Sequence, residues 1–163
     1  GVKMTLDFLQ TLVSTALGAG TGYCLAYIFA KRQVSKQEED DYLSLILLLH
    51  AHLEHLARCF SEFGLDTDSR TVVLPPYFVA PAITGEQVQR LMEISPEKHI
   101  PQTLVEILYF CRKVEKGTAT GDNFCLPFKA FDAIRQELCR EINDLKTLYD
   151  VRRGDNDKFP QLE

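Results

Sequence analysis

The sequence predicts an all-α protein: one N-terminal transmembrane helix followed by a small cytosolic helical domain of about four helices. Three observations carry this expectation. Residues 8–30 (FLQTLVSTALGAGTGYCLAYIFA) contain no Asp, Glu, Lys, Arg or His. Apolar residues then recur at helical spacing around residues 43–60, 104–114 and 131–148. Between these stretches stand capping signatures and helix-breaking prolines and glycines. The expected organisation is a membrane anchor over residues 1–34, a cytosolic domain over residues 35–153 and a disordered tail over residues 154–163.

As a helix, residues 8–30 extend about 34 Å, against a hydrocarbon core of roughly 30 Å. A backbone in lipid must satisfy its own hydrogen bonds, which selects the helix. The core helix of a soluble protein rarely needs so long an uncharged run, and the apolar part of a cleaved signal peptide is shorter. Lys31, Arg32 and Lys36 follow the run, whereas only Lys3 and Asp7 precede it. Positive residues stay in the cytoplasm, so the chain reads as a single-pass protein of the cell inner membrane with its C-terminal domain cytoplasmic.

Ser14, Gly18, Gly22 and Ala26 recur every four residues and form a small-residue stripe along this helix. Such a stripe lets two backbones approach closely, and it predicts a homo-oligomer. The ordinary glycine and alanine content of membrane helices produces the same stripe without a partner.

The chain has 163 residues and a formal charge of −5, which leaves room for one small domain and excludes a general basic surface for DNA. Cys24, Cys59, Cys111, Cys125 and Cys139 form no C-x-x-C pair. Reduced, partly buried thiols in the cytosol explain them better than disulfides or zinc.

Beyond the anchor, Ser35 with Glu38 reads as a capping box that starts a new helix, ending at a C-cap near Gly64. His50, His52, Glu54, His55 and Arg58 make this a core helix of the cytosolic domain rather than a second span. His52 and His55 are neighbours on its surface and His50 points away from both, so no metal is expected. Prolines then break the chain up to residue 83, and Thr71–Leu74 is at most a short extended piece. Within this stretch, Pro75-Pro76-Tyr77-Phe78 reads as an aromatic loop that packs on the domain or meets a partner. Thr84 and Gln87 cap a helix running to about Ile94, and Pro101 opens another that ends near Gly117. Phe124-Cys-Leu-Pro127 opens the last helix, whose apolar face carries Phe131, Leu138, Leu145 and Leu148.

No G-x-S-x-G, Walker loop, H-E-x-x-H or kinase signature occurs, so neither an enzyme nor a cofactor is expected. One segment has the residue types that hold an anion. Arg112, Lys113 and Lys116 end a helix, and Gly117-Thr118-Ala-Thr120-Gly121-Asp-Asn123 follows. Glycines admit close backbone approach, hydroxyls and the amide donate hydrogen bonds, and cations balance a phosphate. Lys129, at the start of the next helix, adds charge at a helix terminus. A capped helix followed by a polar connecting loop fits the same residues.

The layout over residues 8–153, a single span with a small-residue stripe joined to a compact helical cytosolic domain, resembles that of type III CRISPR-associated membrane effectors that bind cyclic tetra-adenylate. The resemblance implies a cytosolic domain that senses a cyclic oligoadenylate second messenger, an oligomer such as a tetramer, and disruption or permeabilisation of the membrane in antiviral defence. No family motif is matched, so no binding residue transfers from it. The alternative is a bitopic scaffold whose helical domain recruits a protein partner.

Overall fold

The computed structural model describes the backbone of residues 2–154 and the side chains of residues 24–154. Four helices dominate: α1 (Val2–Ser61), α2 (Gly85–Ile94), α3 (His99–Thr118) and α4 (Phe128–Arg153). Three short strands, β1 (Gly64–Asp66), β2 (Thr71–Leu74) and β3 (Phe124–Pro127), form one antiparallel sheet in the order β1-β2-β3. The chain divides into two compact units, Gly1–Asp41 and Tyr42–Glu163.

The sheet corrects the all-α expectation. Phe124–Pro127 is a strand rather than the opening of the last helix, which starts at Phe128. Strands of 3 and 4 residues are too short to show a reliable alternating pattern. Their pairing is decided by distant residues, with Val72 opposite Leu126 and Val73 opposite Cys125. Val72 and Leu74 are buried, so the central strand contributes one face to the core. Pro127 is tolerated because β3 is an edge strand.

A second correction concerns Ser35. It starts no helix, because α1 runs unbroken from Val2 to Ser61. No glycine or proline lies between Gly22 and Gly64, and nothing in that interval breaks the hydrogen-bond ladder. α1 is long and apolar enough to cross a membrane. Of the small-residue stripe, Ala26 is exposed, whereas Ser14, Gly18 and Gly22 lie outside the described side chains. The tail over residues 155–163 also lies outside the described residues.

In the second unit, Leu45, Ile46, Leu49, Leu53, Leu56 and Phe60 of α1 bury their side chains in a common core with α2, α3, α4 and the sheet. The spacing is that of one helix face, as the sequence predicts. At the C-terminal end of α1 an aromatic cluster forms. Phe60 and Phe131 have ring centroids 5.3 Å apart, and Phe63 meets Phe78 edge-on at 6.1 Å. At the other end Arg152 of α4 lies over the Tyr42 ring, 5.1 Å from its centroid, and donates a 3.2 Å hydrogen bond to the Ile94 carbonyl at the end of α2. One guanidinium therefore ties three helices together. The Thr84 capping box is present in full. Its hydroxyl accepts the Gln87 N–H at 3.3 Å, and the Gln87 side chain accepts the Thr84 N–H at 2.9 Å.

Candidate functional site

The end of α3 is built by packing. Thr118 is fully buried; its hydroxyl accepts the Phe78 N–H at 3.1 Å and donates to the Val114 carbonyl at 3.1 Å. The Thr118 carbonyl accepts the N–H groups of Tyr77 and Gly121, both at 3.1 Å. Glu115 accepts the Ala80 N–H at 3.3 Å. The Tyr77–Ala80 segment is thereby laced to the last turn of α3, so the aromatic loop packs on its own domain. Non-glycine φ is positive at Tyr77, at 58°, a conformation held by these bonds.

The two glycines of the loop have packing reasons. A Cβ on Gly117 would stand 2.5 Å from the Phe124 ring, and one on Gly121 would stand 2.5 Å from the Tyr77 hydroxyl. Gly121 also has a φ of 83°, which favours glycine. What approaches these backbones is the protein's own aromatic side chains.

The residues expected to hold an anion separate into three groups. Arg112, Lys113 and Lys116 are exposed on the last turns of α3, where three- and four-residue spacings make them surface neighbours. Thr118 faces the core, and exposed Thr120 donates to the Asp122 carboxylate at 2.9 Å. Asn123 is exposed before β3, and Lys129 lies beyond it on the first turn of α4. An extended strand separates Asn123 from Lys129 by roughly 20 Å of chain.

A different site emerges between α2 and α3. Ile83, Thr84, Val88, Met92, Val105 and Tyr109 line a groove of about 640 Å³, with Leu108 at its base and Arg112 at one end. Met92, Val105 and Tyr109 are 54%, 45% and 73% exposed, so the groove presents apolar surface to solvent. Among the described residues, Arg112 is its only charged lining residue. The sequence carries the apolar residues of each wall but not their meeting in one groove. Met92 follows buried Val88 by four residues on α2, and Tyr109 follows Val105 by four on α3, so apolar surface extends outward from the buried stripe of each helix.

Other candidate chemistry resolves as follows. His50 is buried, and its Nε2 lies 3.9 Å from Glu54; His55 lies on the exposed side of the same helix. Among the described residues, no three His, Cys, Asp or Glu side chains gather as a metal site. Cys111 is buried, and desolvation pushes its thiol up to about 12. Glu141 of α4 is fully buried, and neither carboxylate oxygen has a hydrogen-bond partner among the described residues. Desolvation, with smaller contributions from Asp144 and Glu137, pushes its carboxyl up to about 8. Its place in the apolar stripe, three residues after Leu138 and four before Leu145, was the sequence signal for that burial.

No family model, curated protein or solved structure matches the chain.

Proposed function

We propose that the chain is a single-pass adaptor of the cell inner membrane whose cytoplasmic unit recruits a protein partner through the α2–α3 groove. The observation that carries this reading is the apolar surface left open by Met92, Val105 and Tyr109 beside the single cation Arg112. α2 is 10 residues long, about 15 Å, which matches an amphipathic helix presenting anchors at positions i, i+4 and i+7. The partner of this chemistry is a helix with an apolar face and a carboxylate that meets Arg112. The long apolar N-terminal helix supports the anchoring half of the reading. A photo-crosslinking residue at Tyr109, introduced in the full chain in cells, tests the recruiting half. A discrete crosslinked protein that disappears with Val105→Glu is the expected outcome. Crosslinks that are absent, or that survive this change, overturn it.

A second reading, a homo-oligomeric antiviral effector, such as a tetramer, gated by cyclic oligoadenylate, draws support from Arg112, Lys113, Lys116 and Lys129. These cations form no ion pair among the described residues. Here the ligand must bind one arrangement of the oligomer more tightly than the resting one. Titration of the full chain in detergent with cyclic tetra-adenylate decides it, with affinity expected to fall at Lys113→Glu and Lys116→Glu.

A further inference from the structure

Ile28, Lys31, Arg32, Ser35, Lys36 and Glu39 follow one another at helical spacing along a single face of α1, where they line a shallow groove of about 580 Å³. Lys31, Arg32 and Lys36 are exposed and make no hydrogen bond or ion pair among the described residues. The face begins where the uncharged run of residues 8–30 stops. Along the axis, Lys31 and Lys36 are about 7.5 Å apart. The polar layer on each side of a bilayer core is about 5–7 Å deep. The three cations thus cover the depth at which lipid phosphates lie, with apolar Ile28 one turn below them and Glu39 closing the groove on the far side. Orientation in the membrane requires cations after the span but not on one face; their gathering into a groove with the Ser35 hydroxyl is an additional fact.

We propose that this face of α1 binds the phosphodiester of an anionic phospholipid. Lys31, Arg32 and Lys36 balance its charge, Ser35 donates a hydrogen bond to a phosphate oxygen, and Ile28 contacts the start of an acyl chain. The proposal rests on the membrane reading given above. Its test uses the full chain, purified in detergent, stripped of lipid and titrated with phosphatidylglycerol or phosphatidylcholine under native mass spectrometry. Phosphatidylglycerol is expected to be retained preferentially. Each of Lys31→Gln, Arg32→Gln and Lys36→Gln should lower that preference roughly fivefold, and the triple variant about a hundredfold. Arg90→Gln, at an exposed position of α2 in the other unit, should leave it unchanged. Equal retention of the two lipids, or a triple variant that keeps the preference, overturns the proposal. So does inorganic phosphate competing at the same concentration as the lipid, which would make the groove a simple phosphate site. Carbonate-washed membranes separate the two ideas. A chain that stays in the pellet but shows no lipid preference loses only the lipid site, whereas one that leaves it loses the membrane reading as well.

Discussion

The hydroxyl of Thr118 accepts the backbone N–H of Phe78 at 3.1 Å inside the core, joining the end of α3 to a loop 40 residues away. The same hydroxyl donates a hydrogen bond to the Val114 carbonyl. This pair fixes the Tyr77–Ala80 segment, and through Tyr77 it sets the turn at Gly121. A side chain whose type suits an anion site is therefore consumed by the fold.

Removing that hydroxyl leaves a buried N–H without a partner. Thr118→Val should destabilise the protein by about 1–3 kcal/mol in urea unfolding, while Thr118→Ser should retain most of the stability. Equal stability of the Val variant and the parent would show that the bond contributes nothing.

Gly117 sits under the Phe124 ring, where a Cβ would stand at 2.5 Å. Gly117→Ala should cost about 1–3 kcal/mol by overpacking. Combined with Phe124→Leu, which opens the space, the two losses should sum to less than their separate values. Simple additivity in that double-mutant cycle would remove the steric explanation.

The buried Glu141 carboxyl titrates at about 8 in the folded chain, against 4.5 when free of these surroundings. Between those values the folded state holds a proton that the unfolded chain has lost. Its stabilising effect is therefore complete below about pH 4.5 and is lost as pH rises to about 8, with a slope of up to about 1.4 kcal/mol per unit. Glu141→Leu should abolish this slope and be more stable than the parent at pH 8. Parallel stability–pH curves for the two proteins would refute the assignment.

Thiol reactivity should follow burial. Cys125 and Cys139 are exposed, and Cys111 is buried with its thiol pushed up to about 12. A maleimide should label Cys125 and Cys139 within minutes in permeabilised cells and Cys111 only after denaturation. In intact cells an impermeant maleimide should spare Cys125 and Cys139; rapid labelling of these two would place this unit outside the cytoplasm.

Much of the fold was legible because its signals are local. The Thr84–Gln87 capping box and the apolar faces of α1 and α4 all depend on residues within a few turns of one another, whereas α3 starts at His99, two residues before the Pro101 expected to open it. The sheet was not legible, since Val73 finds Cys125 only when the chain has closed. Ser35 misled for a related reason. A capping box is as compatible with a helix interior as with a helix start when no breaker precedes it, and α1 continues through. At the candidate site, the end of α3 near Gly117 was legible, and Arg112, Lys113 and Lys116 are exposed there. The α2–α3 groove required two helices to be set side by side before their ridges could frame it.

By itself the sequence determined the uncharged apolar run of residues 8–30, the cations that follow it, and the helical periods of the core, because each is fixed by neighbours in the chain. The tertiary structure alone decided that Thr118 faces inward, that Lys129 stands beyond a strand, that Glu141 is enclosed without a partner, and that Met92 and Tyr109 border one groove. Those outcomes depend on which distant surfaces exclude water together, and spacing along a chain does not encode that.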